Sequence, residues 1–152
     1  MSDPIISPPT LAGFVTWSQN VMGLTSIVIS PTDIGYSYAF QVAMDLVPCE
    51  LNLASPDIYT LTVYNYAGSL LLQFQQDISG QTFFAQARAS YGINSFVAGV
   101  INSAADASTS EGITVPVGLS NLSLLDLQRL KDPYGRQATS FMQTIGTLWG
   151  LT

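Results

Sequence analysis

Histidine is absent from this chain, cysteine occurs once, and lysine and arginine together number only 4. Charged residues make up 9% of the sequence, against about 25% in an ordinary soluble domain. Each shortage removes a class of chemistry. Ser–His–Asp and Cys–His catalysis needs an imidazole titrating near the working pH, and the chain has none. A Ser–Lys pair would have to use Lys131, the only lysine. With Cys49 alone, neither an internal disulfide nor a cysteine-based zinc site can form. A metal site would need carboxylates alone, and the 10 acidic residues show no pairing at ligand spacing. Neither GxGxxG nor GxxxxGKS/T is present. Carboxylate pairs of the glycosidase kind come together only in a fold, so at this stage they stay open. The chain is read as non-enzymatic, with no cofactor and no metal.

The charge that remains is acidic on balance, with a net charge of −6. A basic footprint for phosphate neutralisation is missing, so no sequence-specific nucleic acid is expected as a partner. So few charges cannot cover the surface of a folded monomer, which points to a subunit buried largely against other subunits. Cys49 follows Pro48 in an apolar stretch and is expected as a buried structural thiol. Met1-Ser2-Asp3-Pro4 shows neither a basic nor an apolar leader region, so no secretory signal is expected. The longest apolar-looking run, Ile58 to Phe74, is interrupted by Thr60, Thr62, Asn65, Gly68, Ser69 and Gln73. It falls short of the ~20 predominantly apolar residues of a spanning helix, and no membrane partner is expected.

What is present is a substantial hydrophobic fraction, 47%, enough for the core of one domain. Pro4, Pro8 and Pro9 make residues 1–9 an extended arm. Thr10 is placed to cap a first helix running to about Met22, with Leu11, Phe14, Ser18 and Val21 at helical spacing and Gly23 ending it. Ile27 to Ile29 is a short β-branched run and a possible β segment. Ser30-Pro31-Thr32-Asp33 starts a second helix with Tyr36, Phe40, Ala43, Met44 and Val47 on one face. Ser55-Pro56-Asp57 repeats that start signal. The helix it opens has two apolar stripes, Tyr59, Val63, Tyr66, Leu70 and Phe74 in one and Leu61, Tyr64 and Leu71 in the other. A helix apolar on more than one side is buried, although local alternation at Tyr59, Leu61 and Val63 keeps a strand open.

After the Ser79-Gly80 break, Phe83, Phe84, Ala87 and Tyr91 suggest a fourth helix, interrupted by Gly92 and resumed from Phe96 to Ala104. The small polar tract over 102–112 reads as a loop, and Ile113 to Val117 as a short strand or arm. A helix then opens at Ser120 to Ser123, Asp132-Pro133-Tyr134-Gly135 reads as a turn, and a last helix covers about Arg136 to Thr147. The expected fold is mainly α: a bundle of about five helices, with an N-terminal arm over 1–9, a helical core over 10–118 and a C-terminal docking segment over 119–152.

Three of the four basic residues, Arg129, Lys131 and Arg136, gather around Tyr134, with Phe141 and Trp149 following. Arginine and aromatic side chains are the usual anchors of protein interfaces. These six residues are the candidate partner-binding set.

The same residues carry a resemblance. Leu127-Gln128-Arg129-Leu130-Lys131-Asp132-Pro133-Tyr134-Gly135-Arg136, followed by Gly146-Thr147-Leu148-Trp149-Gly150-Leu151-Thr152, looks like the C-terminal end of a group of small virion proteins of tailed bacteriophages. Phe14 to Gly23 and Tyr59 to Gly68 look similar too. The resemblance is to head–tail adaptors, or connectors. It implies small helical subunits forming a homo-oligomeric ring, commonly dodecameric, that joins the portal protein to the tail or to the next connector. It further implies that the C-terminal segment reaches the portal, in the virion and, during assembly, in the host cytoplasm. A tail-completion or capsid-decorating protein is the alternative, and a membrane-active helical protein a more distant one.

Overall fold

The computed structural model of the chain describes residues 8–95, 103–105, 110–112 and 124–148. Among them the protein is a mainly α bundle. Its helices are α1 (Leu11–Trp17), α2 (Ile34–Leu46), α3 (Leu51–Ala54), α4 (Pro56–Phe74), α5 (Phe83–Tyr91), α6 (Leu124–Arg129) and α7 (Pro133–Leu148). Strands β1 (Ser103–Ala105) and β2 (Ser110–Gly112) pair antiparallel, Ala104 opposite Glu111. The polar tract expected as a loop therefore contains a short ladder.

Local chemistry sets most helix starts. The Thr10 side chain accepts from the Gly13 N–H, that of Asp33 from Gly35, and that of Ser55 from Ile58, with Pro56 in the first turn of α4. Each cap satisfies a donor that the helix itself leaves unpaired. Past Trp17 the first helix widens into a π turn, Ser18–Met22, which closes at Gly23 with φ 74°. That left-handed conformation suits glycine. The Ser18 hydroxyl, fully buried, donates to the Val15 carbonyl and meets the Tyr36 hydroxyl at 3.0 Å.

The strand possibilities at 27–29 and 59–63 give way to other structure. Val28 and Ile29 donate their N–H groups to the Thr25 carbonyl, folding the run into a turn that buries Ile29 and leaves Ile27 outside. Tyr59, Leu61 and Val63 belong to α4. Asp132-Pro133-Tyr134-Gly135 is likewise not a free-standing turn: Pro133 opens α7, and the Asp132 carboxylate accepts from the Gly135 N–H at 2.8 Å. This is the start chemistry of Ser55-Pro56 with a different capping residue. The expected arm over 1–9 and Ile113 to Val117 lie almost entirely or wholly outside the described residues, as do Phe96 to Ile101.

At nineteen residues, α4 is about 28 Å long, and every residue from Thr62 to Ser69 is buried. α2 runs antiparallel to it, with Asp33 beside Gln75. α7 also runs antiparallel, starting at Ser69, which donates to Asp132 at 2.7 Å, and reaching α3 at its far end. Phe14 joins three of these helices, with ring centroids 5.7 Å from Tyr36, 6.2 Å from Phe40 and 5.9 Å from Tyr64. Trp17 carries the cluster to Tyr134 on α7 at 5.9 Å. Each such pair adds about 0.5–1.5 kcal/mol beyond area burial. Ala138 and Ile145 of α7 belong to the same core, so the C-terminal segment is built into the bundle.

Along α2 and its C-cap the buried line is Tyr36, Ala39, Ala43 and Val47, whereas Met44 falls at its edge and is exposed. Cys49, expected inside, is exposed. Val47 and Leu51 take the interior positions on either side of it, and Pro48-Cys49 makes the outer bend between them.

Candidate partner-binding site

The α6–α7 hairpin holds most of the expected interface set, and the fold turns much of it inward. Arg129 is 8% exposed. Its guanidinium lies 4.7 Å from the centre of the Tyr66 ring on α4 and pairs with Asp126. A cation over a desolvated aromatic face is worth ~2 kcal/mol. Lys131 donates to the carbonyls of Gly92 and Ser95, just past the end of α5. Tyr134 is half-buried, packed edge-on against Trp17. Arg136 is exposed, Phe141 is half-buried, and Trp149 lies outside the described residues.

Asp132 organises the hairpin. It is fully buried and accepts from the Ser69 hydroxyl and the Gly135 N–H. Burial pushes its carboxyl above the ordinary value, while the bonds from Ser69, Gly135 and Tyr134 and the Arg136 charge pull it down less strongly. Burial also raises the Tyr134 phenol, helped by Tyr91 and Asp132. Tyr134 is therefore a neutral hydrogen-bonding group, unsuited to act as a base near neutral pH. It borders an open cleft of about 320 Å³ floored by Met22, Leu72 and Phe83. That cleft presents phenol, amide and hydroxyl groups but no carboxylate or cation. Among the described residues no His, Cys, Asp and Glu side chains cluster as metal ligands, and no helix is long and apolar enough to cross a membrane.

Arg88, the remaining basic residue, donates to the carbonyls of Leu72 and Gln75, closing the C-terminal end of α4. Cations are favourable there because the last carbonyls of a helix are unpaired and its dipole is negative. Arg88, Arg129 and Lys131 are thus held by the protein's own groups, and of the four basic residues only Arg136 is exposed.

Apolar side chains missed by sequence reasoning emerge at both ends of the α2–α4 pair. One end is a tip formed by the end of α2, the bend after it and α3. There Leu53 is 85% exposed and Leu46 49%, with exposed Met44 two positions before Leu46. Asp45, Glu50 and Asp57 are exposed at the same end. At the opposite end Ile34 is 83% and Tyr38 61% exposed. Tyr38 stands edge-on to Phe74 at 5.3 Å, with Ile78 exposed farther along the chain. One sequence signal for the tip existed: no basic residue precedes Arg88, so its three acids stand without a nearby opposite charge in the chain.

No protein-family model matches this chain, and no curated protein or solved structure matches it either.

Proposed function

We propose that the chain is a structural virion protein, a head–tail adaptor subunit whose copies form a ring joining the portal to the tail. The observation that carries this reading is the placement of large exposed apolar side chains at both ends of the α2–α4 pair: Leu46 and Leu53 at one, Ile34 and Tyr38 at the other. A subunit that bridges two neighbours needs two separate contact regions. Side chains of this size in water favour association by roughly 1.5–3 kcal/mol each when fully buried. The scarcity of charge supports the same reading, and the resemblance of the C-terminal and central sequence pieces to phage adaptors supplies the virion context.

On this reading the mechanism is geometric. A rigid bundle built on α4 holds two contact regions about 20–30 Å apart, and ring closure repeats them around an axis. At the C-terminal end, Arg136, Phe141 and Trp149 are the residues offered to the portal. Arg129 and Lys131 act indirectly, by fixing the hairpin that carries Arg136 and Phe141.

Native mass spectrometry of the protein alone and mixed with the candidate portal tests the proposal. A closed oligomer that binds the portal is the expected result, weakened at least tenfold by removing residues 149–152. That deletion spares α7, whose Ala138 and Ile145 belong to the core. A protein that stays monomeric and separate from the portal would overturn the reading.

A further inference from the structure

We infer that the tip formed by the end of α2, the bend at Pro48-Cys49 and α3 is a docking edge for a second, basic protein, with Leu53 inserted into an apolar socket ringed by lysine or arginine. Leu53 is the most exposed large apolar side chain among the described residues, and Leu51, two positions earlier, is the one that anchors α3 in the core. The fold therefore uses one leucine of this short helix and leaves the other in water. Leu46 extends the apolar surface.

Charge decides the occupant. Asp45, Glu50 and Asp57 are exposed at the tip, and the basic residues all lie at or beyond position 88. A rim of one sign attracts the opposite sign and repels its own, over a Debye length of roughly 8 Å at physiological salt. Nucleic acid and anionic bilayers are disfavoured by that rim. A second copy of this chain fits poorly too. Its Arg88 and Lys131 are bonded to its own helix ends and its Arg129 is buried on Tyr66. That leaves Arg136 as the only exposed cation to set against three carboxylates. Complementarity asks for a protein richer in exposed lysine and arginine than this one. Exposure and charge alone define this docking edge, independently of the adaptor reading.

The test uses the full chain and a display library of a small helical scaffold with randomised surface positions. Binders are selected against the wild-type protein, and Cys49, the only cysteine and exposed at the tip, reports coverage through its rate of alkylation by a maleimide. Selected binders should be enriched in lysine and arginine beside aliphatic or aromatic residues and should slow Cys49 alkylation at least fivefold at saturation. Leu53→Ser should weaken them at least tenfold. The Asp45→Asn, Glu50→Gln, Asp57→Asn triple variant should also weaken them and flatten their salt dependence. Circular dichroism should show both variants folded. Binders without basic enrichment, binders indifferent to Leu53→Ser, or binders that leave Cys49 fully reactive would each overturn the inference. So would Cys49 protection that rises with the concentration of the protein alone, because that would make a second copy the occupant.

Discussion

The α6–α7 hairpin and the α2–α3 tip both set charged residues beside apolar ones, but the surrounding structure treats them in opposite ways. In the hairpin, Asp132 is buried under Ser69 and the start of α7, Arg129 lies on Tyr66, and Lys131 closes the end of α5. At the tip, Asp45, Glu50 and Asp57 are in water and Leu53 stands clear of the core. The difference shows how a chain short of cations distributes them. Helix C-termini and a buried aromatic face outcompete solvent for the few available, because unpaired carbonyls leaving water need a donor. The charges left outside are then nearly all negative.

That contrast predicts a graded set of stability changes. The largest belongs to Gly135, where an added Cβ would run into the Arg129 backbone carbonyl and crowd the Ser69 hydroxyl. Gly135→Ala should cost about 3 kcal/mol in urea unfolding, and a loss below ~0.5 kcal/mol would mean that the Arg129 carbonyl does not close on Gly135. Next is Asp132→Ala, which removes a cap and strips Ser69 of its acceptor, at about 2 kcal/mol.

Asp132→Asn should retain most of that stability and also reveal the sign of the burial effect. A carboxyl raised above its ordinary value of 3.8 favours the folded state when protonated. That contribution is present below the unfolded value and is lost as pH rises through the folded one. The stability of the asparagine variant relative to wild type should therefore rise as pH increases above 3.8, and a relative stability that falls instead would reverse the assignment. Lys131→Ala comes third, up to about 1 kcal/mol through its bonds past α5, measured by the same unfolding curves. The smallest effect is expected at the tip: Leu53→Ser should stay within about 0.5 kcal/mol of wild type. A larger loss would show that the tip serves the fold, erasing the contrast.

Much of the helical frame was legible because its signals are local. Thr10, Asp33 and Ser55 cap where their side chains can reach an N–H two or three residues on, and Gly23 ends the first helix by its own conformation. Asp132-Pro133 carried the same signal, but Tyr134-Gly135 after it suggested a turn. Gly135 is there for a tertiary reason, the close approach of the Arg129 carbonyl, which no short window contains. The inward direction of Arg129 and Lys131 was hidden likewise, since Tyr66 and Gly92 lie far from them in sequence. Cys49 and Met44 were misread as interior because apolar neighbours in sequence do not say which side of a bend they occupy. The tip is not legible in a short window because Asp45, Glu50 and Asp57 are spaced along the chain and come to one end only in the fold.

The π turn at Ser18–Met22 lets the first helix absorb one extra residue at a single point. An α-helix advances each residue by about 100° around its axis, and the widened turn accommodates one residue more than an α turn would. Upstream of it Phe14 is fully buried, and downstream Leu24 is too. Closing the turn as α with all of its residues kept would leave Phe14 in place and rotate the exit toward Leu24 and Ile29 by that angle, whereas deleting one residue within 18–22 would let it close with both ends still in phase. The widened turn, as much as the identity of its residues, holds Phe14 and Leu24 in the same core.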